Sequence, residues 1–198
     1  FRNKILMNIF FLRHTSLNVE PDVFYGQTDL DVSNTFEKEV KIIKKKIDEL
    51  ITKDYKVKVY SSPLQRCRKL SQKISDNVIL DPRIMELNLG DWEMKPKQSI
   101  PKELVENWEK DMINFTIPNG ESNKKFLQRL KEFTDEICKT DEDVLIVAHA
   151  GSINGMISNL TGEPFDKLLK NFWEKISYGS LSLLKKESKQ FIIKFIGR

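Results

Sequence analysis

Cysteine and histidine are both scarce in this chain of 198 residues, which contains two of each. The spacing of Cys67 and Cys138 indicates no disulfide framework, so a reducing cytoplasm is the expected location. With so few thiols and imidazoles, the sequence also lacks the ligand clusters of typical metal sites. This scarcity excludes the disulfide-rich secreted class and offers no candidate metal site.

Long apolar runs are missing as well, and no stretch approaches the length needed to span a bilayer. The first residues, FRNKILMNIFFL, place cations ahead of apolar residues as a signal peptide does, but no small-residue cleavage site follows. We interpret Met7 to Leu12 as a strand. Because the chain does not begin with methionine, we interpret residues 1–6 as an extension before a start at Met7. No membrane partner is expected.

Charge of one sign is not in large excess, since the formal net charge is +4. Lysines cluster in KEVKIIKKK, a run that can indicate binding to nucleic acid or to an anionic surface. Apolar residues recur there at spacings of four and three, from Phe36 to Leu50, as in an amphipathic helix. The lysines then fill the solvated face of that helix, and we predict no nucleic-acid partner. No feature of the sequence specifies an oligomeric state.

The chain does contain an alternation of short apolar runs with helical patterns. The runs MNIFFL, VKVY, NVIL and VLIVAH predict buried strands, and GSLSLLKK with QFIIKFI predicts a terminal hairpin. The alternation favours an α/β fold, a three-layer α/β/α sandwich whose sheet is mostly parallel with an antiparallel edge strand. It breaks between Pro82 and Ser122, and we interpret residues 92–120 as a helical lid insertion within one domain spanning residues 7–198.

Both histidines come directly at the end of a predicted strand, His14 in NIFFLRH and His149 in VLIVAH. Ligands of open α/β sheets bind at the carboxyl ends of the strands. One such histidine would indicate only a strand cap, but two indicate a site. Ser62 and Pro63 predict a helix start whose backbone N–H groups face the same edge, an arrangement that favours an anion.

Arginine is also rare, with seven copies in a lysine-rich chain. Its planar fork binds phosphate through two hydrogen bonds, which the point charge of lysine does not. Arg13 and Arg66 fall beside the predicted strand ends, whereas we interpret Arg2, Arg129 and Arg198 as surface charge. Two histidines, two arginines and helix N-termini suit an anionic ligand.

An acid that gives a proton to a leaving group would complete such a site. The stretch MELNLGDWE offers Glu86, Asp91 and Glu93. Glu86 follows the third predicted strand by a few residues, which is the right region. Spacing alone does not decide whether Glu86 or Glu93 is this acid.

Five motifs in this order, LRHTS, SSPLQRC, ELNLGDWE, GES and VAHAG, resemble the histidine phosphatase superfamily, also called phosphoglycerate mutase-like. The resemblance covers nearly the whole chain from Met7. The RHT motif followed by YGQTD looks most like the alpha-ribazole phosphatases, as does Met94 in place of the usual glycine after WE. The resemblance implies hydrolysis of a small-molecule phosphate monoester without metal or cofactor.

The resemblance also implies roles for the residues that match the motifs. His14 would be the nucleophile that becomes phosphohistidine, and Glu86 would be the proton donor. The phosphoryl oxygens would be stabilised by Arg13, Arg66, Asn18, His149 and Ala150.

The implied substrate is alpha-ribazole 5′-phosphate, in the nucleotide-loop branch of cobalamin synthesis. A phosphoglycerate mutase and a broad-specificity sugar phosphatase are alternatives within the same fold. Mutases of this type carry a longer insertion before the third motif and a longer tail, and this chain is short in both places. A phosphate-binding module without activity is disfavoured because the core histidines and arginines are all present.

We expect the residues that shape the substrate site in the loop from Pro21 to Asp29 and in the lid. The candidates are Tyr25, Thr28 and Trp92. Trp92 is able to stack on a base such as dimethylbenzimidazole, but packing within the lid is the role that we favour for it.

Overall fold

The computed structural model describes residues 7–51 and 56–198, so the predicted extension at residues 1–6 lies outside the described residues. No helix among the described residues is long and apolar enough to cross a membrane. The described residues form six strands and six α-helices in this order: β1 (Asn8–Arg13), α1 (Phe36–Leu50), β2 (Lys58–Ser61), α2 (Gln65–Ile74), β3 (Val78–Leu80), α3 (Lys102–Lys110), α4 (Asn123–Ile137), β4 (Val144–Ala148), α5 (Ala150–Thr161), α6 (Phe165–Phe172), β5 (Leu181–Glu187) and β6 (Gln190–Phe195).

The strands form one sheet in the order β3-β2-β4-β1-β5-β6. β1 pairs in parallel with β4, which places Arg13 beside Ala148, and β2 pairs in parallel with β4 and β3. β5 runs antiparallel to β1 and forms a hairpin with β6. The predicted sheet and terminal hairpin are confirmed, and the carboxyl ends of β1, β2 and β4 lie side by side.

Helices cover both faces of the sheet. Successive side chains of β1 point to opposite faces, so each face of this strand packs against a different set of helices. Ile9 and Phe11 pack with α4, α5 and α6 in one apolar cluster. Phe10 and Leu12 pack with α1 and α2 in another. A strand buried on both faces is almost entirely apolar, as MNIFFL is apart from Asn8. The predicted three-layer sandwich is therefore confirmed.

Helix α2 begins later than the sequence predicts. The pattern makes Pro63 its first residue, but the helix begins at Gln65. The Ser62 N–H donates to Val147 O at 3.0 Å, so the chain continues the sheet ladder through this residue. The Ser62 hydroxyl lies 2.9 Å from His149 Nε2 and also accepts a hydrogen bond from Leu64 N, the residue before the helix, at 3.4 Å. The prediction is wrong because the sheet and the neighbouring histidine compete for the groups that would start the helix.

Residues 92–120 contain α3 and pack around an apolar cluster of their own. The buried members of this cluster are Trp92, Ile100 and Ile117. The ring of Trp92 lies 5.8 Å from that of Phe24 and 6.0 Å from that of Trp108, measured between centroids. The cluster therefore joins the lid segment to the loop that contains Phe24.

Candidate active site

His14 and His149 meet at the carboxyl edge of the sheet. The His14 N–H donates to Ala148 O at 3.1 Å, so the pairing of β1 with β4 extends as far as the two histidines. Their ring centroids are 5.3 Å apart, and each residue is 1 % exposed. Strand pairing thus brings together two residues that are far apart in the sequence.

His14 is held in one tautomer. Its Nδ1 lies 2.8 Å from Thr15 O, and because a carbonyl oxygen only accepts, Nδ1 carries the proton. Nε2 therefore presents a lone pair. Burial, followed by the positive charges of Arg66 and Arg13, lowers the pKa of His14 well below its ordinary value. The ring is neutral near pH 7 and is able to act as a nitrogen nucleophile.

His149 is neutral for similar reasons. Arg66 Nε donates to His149 Nδ1 at 3.2 Å, which places the ring proton on Nε2, 2.9 Å from Ser62 Oγ. Burial and then the charge of Arg66 lower the pKa of His149 well below its ordinary value. Cys67 Sγ lies 3.5 Å from the same Nε2. Burial raises the pKa of the Cys67 thiol, so it stays protonated and is not a second nucleophile.

Arg66 is fully buried, and backbone carbonyls hold its guanidinium. Nη1 donates to Thr28 O at 2.8 Å, and Nη2 donates to Gly26 O at 2.5 Å. With the bond from Nε to His149, each side-chain nitrogen of Arg66 has a partner. A buried cation requires such partners, and they fix the guanidinium beside the two histidines.

Arg13 contacts the site from the end of β1. Its Nη1 donates to Ile176 O at 2.7 Å, and its guanidinium carbon lies 4.1 Å from the centroid of the Tyr178 ring. Arg13 Nε is buried and has no hydrogen-bond partner among the described residues. An unpaired buried donor next to a neutral histidine is suited to an anionic ligand atom.

Of the two candidate glutamates, Glu86 lines the cavity in front of the histidines, whereas Glu93 does not. Glu86 Oε2 accepts a hydrogen bond from Gly151 N, at the start of α5, at 2.9 Å. A Cβ at residue 151 would lie 2.4 Å from Glu86 Oε1, so a side chain there would push the Glu86 carboxylate aside. The tertiary structure thus separates two carboxylates that the sequence leaves equivalent.

The cavity has a volume of about 450 Å³, and most of its wall away from His14 is apolar. Apart from Ala150 beside His149, the apolar lining residues come from five segments: Val23, Phe24, Leu87, Leu89, Trp108, Met112, Phe126, Phe165, Leu169 and Trp173. Such a cavity suits a ligand with one anionic end and an apolar body. Within residues 7–51 and 56–198, no group of three or more His, Cys, Asp or Glu side chains is arranged to hold a metal ion.

The sequence profile of the histidine phosphatase superfamily (branch 1) matches residues 9–197. The chain belongs to this superfamily. Its membership confirms the prediction of a phosphatase that rests on the five motifs.

Two relatives with similar sequences are named for different activities. A protein of Hydrogenobacter thermophilus provisionally named phosphoserine phosphatase 2 is 26 % identical over 177 residues, which are 85 % of this chain and 83 % of the relative. The probable phosphoglycerate mutase GpmB of Erwinia tasmaniensis is 29 % identical over 172 residues, 80 % of this chain and 77 % of the relative.

A solved structure shows the shared fold. The crystal structure of the alpha-ribazole phosphatase from Shigella flexneri superimposes with a TM-score of 0.80 at 23 % identity. The match covers 97 % of this chain and 96 % of that chain. At this identity the likeness extends to the fold alone.

The histidine phosphatase fold brings most of the predicted site residues to one cavity. Those that line it are Arg13, His14, Tyr25, Arg66, Glu86, His149 and Ala150. Thr28 lies behind Arg66 and contacts it through its carbonyl oxygen. Thr28, Trp92 and Asn18 do not line the cavity, which corrects the expectation that Thr28 shapes the substrate site.

The expectations for Trp92 and Asn18 are therefore corrected. Trp92 is 2 % exposed inside the lid cluster, where its large apolar surface is buried, so lid packing is its role. Asn18 is exposed in the loop after β1. Position relative to a motif did not show where either side chain would lie, because loop paths depend on tertiary contacts.

Tyr178 is a site residue that sequence reasoning missed. Its ring centroid lies 5.5 Å from that of His14, and its hydroxyl lies 2.6 Å from that of Tyr25. The sequence did contain a signal. β5 runs antiparallel to β1, so the residues that precede β5 return to the carboxyl edge where His14 lies.

Arg129 of α4 is not a surface charge, contrary to the prediction. Its Nη1 donates to Arg83 O at 2.6 Å and to Met85 O at 2.8 Å, and its Nη2 donates to Glu86 O at 2.8 Å. Glu121 pairs with Arg129 Nε at 2.8 Å. Arg129 therefore holds the backbone that carries Glu86. No helical pattern reveals this role, because the partners are carbonyls of another segment.

Proposed function

We propose that this chain is a phosphomonoesterase that works through a phosphohistidine on His14. The observation that carries the proposal is the neutral, buried His14 beside Arg13 and Arg66, in a cavity that Glu86 also lines. A nucleophile, a cationic clamp and an acid are the groups that a two-step phosphoryl transfer requires.

The first step is attack of His14 Nε2 on phosphorus. An N–P bond forms, and the bond between phosphorus and the ester oxygen breaks. Arg13 and Arg66 stabilise the charge on the phosphoryl oxygens, and the N-terminus of α5 at Ala150 adds a favourable dipole. In the second step water attacks the phosphohistidine, which releases inorganic phosphate and restores neutral His14.

Glu86 moves the proton in both steps. It gives a proton to the leaving oxygen when the ester bond breaks, and it takes a proton from the water that attacks phosphohistidine. The bond from Gly151 N and the contact of Arg129 with Glu86 O hold this carboxylate at the cavity wall. One residue then serves both directions of transfer, because the second step mirrors the first.

For the substrate we propose alpha-ribazole 5′-phosphate, in the nucleotide-loop branch of cobalamin synthesis and in the cytoplasm. The wall away from His14 includes Phe24, Trp108 and Trp173. The dimethylbenzimidazole of this ester is a large apolar group, which such a wall favours over a short charged group.

Phosphoserine is the second candidate substrate. Asp166 and Lys170 of α6 lie one turn apart and both line the cavity. They offer one charge of each sign, as the ammonium and carboxylate of an amino acid require. The relative from Hydrogenobacter thermophilus carries the corresponding name. By contrast, 3-phosphoglycerate has only a carboxylate and would leave Asp166 without a partner.

Trapping the phosphoenzyme tests the mechanism. The protein is mixed with p-nitrophenyl phosphate and quenched in base, which preserves phosphohistidine, and the adduct is located by mass spectrometry. We expect it on His14. His14→Ala should remove the adduct and lower kcat by at least about 10⁴-fold, as loss of a nucleophile does. A folded His14→Ala protein that kept its activity would contradict the mechanism.

A substrate panel tests the specificity. We expect kcat/KM for alpha-ribazole 5′-phosphate to exceed that for phosphoserine and 3-phosphoglycerate by at least about tenfold, within reach of one apolar contact. If phosphoserine is preferred instead, Lys170→Met should lower its kcat/KM alone. Isomerisation of 3-phosphoglycerate without phosphate release would indicate a mutase. Equal turnover of all three would replace the ribazole proposal with broad specificity.

A further inference from the structure

Glu93, which does not line the cavity, accepts hydrogen bonds from three consecutive residues of one loop. Its carboxylate accepts from Gly26 N at 2.9 Å, Gln27 N at 2.7 Å and Thr28 N at 3.3 Å. Thr28 Oγ1 donates to it at 2.6 Å, and Leu89 N donates at 3.2 Å. Five donors around one carboxylate are more than an ordinary surface glutamate has, and three of them are consecutive backbone N–H groups.

The same loop holds Arg66 from its other side. Gly26 O accepts from Arg66 Nη2, and Thr28 O accepts from Arg66 Nη1. Gly26 O and Gln27 N belong to one planar peptide group, in which the carbonyl and the N–H point in opposite directions. When Glu93 binds Gln27 N, it therefore turns Gly26 O toward Arg66.

Packing leaves this peptide group little freedom to turn. A Cβ at residue 26 would lie 1.9 Å from Leu87 O and 2.9 Å from Glu93 Oε1, so the loop passes close to both. Gln27 Nε2 donates to Glu86 O at 3.0 Å, which ties the loop to the segment that carries Glu86.

Glu93 is negatively charged in this setting. Burial acts to raise its pKa, but the hydrogen bonds from Gly26, Thr28, Gln27 and Leu89 outweigh burial and lower the pKa below its ordinary value. A charged acceptor forms stronger hydrogen bonds with backbone N–H groups than a neutral amide does.

We propose that Glu93 is a positioning residue for Arg66: through the peptide group between Gly26 and Gln27, it fixes the guanidinium that clamps the phosphoryl group. The inference rests on the proposed function, since it assigns Arg66 to the phosphate clamp. It adds a second glutamate to the machinery, one that touches neither the substrate nor the reacting atoms.

Binding of inorganic phosphate, measured by calorimetry, tests the link without relying on turnover. Glu93→Gln should weaken phosphate binding roughly tenfold. The hydrogen bonds that residue 93 accepts lose their charge assistance, and the new side-chain N–H₂ group faces the loop's donors without being able to accept from them. Glu103→Gln is the matched control, since it makes the same change at an exposed glutamate of α3 that does not line the cavity. It should change the dissociation constant less than about threefold. Thermal denaturation checks that each variant is folded.

A double-mutant cycle with Arg66→Ala separates positioning from general support. With p-nitrophenyl phosphate as substrate, Glu93→Gln should lower kcat/KM roughly tenfold in the parent and by less than about twofold in the Arg66→Ala protein. If Glu93→Gln does not fold, Glu93→Asp enters the same cycle, because it keeps the charge and alters the reach.

The outcomes distinguish this inference from the proposed function. Additive losses in the cycle, or unchanged phosphate binding by a folded Glu93→Gln protein, would overturn the positioning role of Glu93. An Arg66→Ala protein that binds phosphate as tightly as the parent would overturn the clamp itself, and the proposed function with it.

Discussion

The two ends of the cavity are built in different ways. At the phosphate end, His14, Arg66 and His149 are at most 1 % exposed, and pairing of β1 with β4 places the histidines. The other end, which we call the leaving-group end, is formed by Trp108 of the lid and by Lys170 and Trp173 of the α6 region. Trp173 is 53 % exposed.

This contrast indicates that the phosphate end determines the reaction and the leaving-group end determines the substrate specificity. A substitution at the phosphate end leaves several buried hydrogen-bonding groups without partners, which is costly. A substitution at the leaving-group end changes an exposed wall at little cost in stability. We therefore expect members of the superfamily to differ more at the leaving-group end than at the phosphate end, and the two relatives are indeed named for different substrates.

Glu86 lies at the boundary between the two ends, and we expect Glu86→Gln to have the largest effect on the reaction. Loss of the acid should slow formation of the phosphoenzyme from alpha-ribazole 5′-phosphate by roughly 10²- to 10⁴-fold. It should slow phosphoenzyme formation from p-nitrophenyl phosphate much less, because p-nitrophenolate leaves without a proton. Rapid-quench measurement of phosphoenzyme formation with both esters measures the difference. Glu103→Gln, an exposed glutamate of α3, is the control. Equal losses with both esters would show that Glu86 does not protonate the leaving group.

A smaller effect is expected from Trp173→Ala at the leaving-group end. The kcat/KM for alpha-ribazole 5′-phosphate should fall about tenfold, since one aromatic contact contributes roughly 1.4 kcal/mol. Phosphoserine, which has no ring, should be turned over as before. The control is Ile42→Ala, because Ile42 of α1 is 50 % exposed and does not line the cavity. A parallel loss with phosphoserine would break the division between the two ends.

The smallest effect is a pH dependence of stability that originates at the phosphate end. Below about pH 6.5 the unfolded chain protonates His14 and His149, whereas their lowered pKa values keep them neutral in the folded protein. The free energy of unfolding should therefore fall as the pH falls, by about 1.4 kcal/mol per histidine between pH 7.5 and 5.5. Urea titrations at both pH values measure this difference.

The pH prediction has an internal control in His14→Ala, which should lose about half of the pH dependence. Carboxylates with a lowered pKa, such as Glu93, add to acid sensitivity only at lower pH, because their unfolded pKa is about 4.5. Stability that is unchanged at pH 5.5 would show that the histidines are protonated in the folded protein.

Sequence reasoning worked where a residue lies on a regular element. His14 and His149 follow buried strands, and the parallel pairing of β1 with β4 makes their meeting predictable. It failed in the irregular segment after β3. Spacing did not separate Glu86 from Glu93, and the size of Trp92 suggested a stacking platform although the ring is lid core.

The sequence by itself determined the layers, the strand ends and the pair of histidines, because apolar periodicity is a local property of the chain. Only the tertiary structure decided which glutamate faces the cavity, and that Arg129 and Glu93 support the site from behind. The physical reason is that both of these side chains bind backbone groups of distant segments. A backbone N–H or carbonyl is the same in every residue, so no motif marks it as a partner.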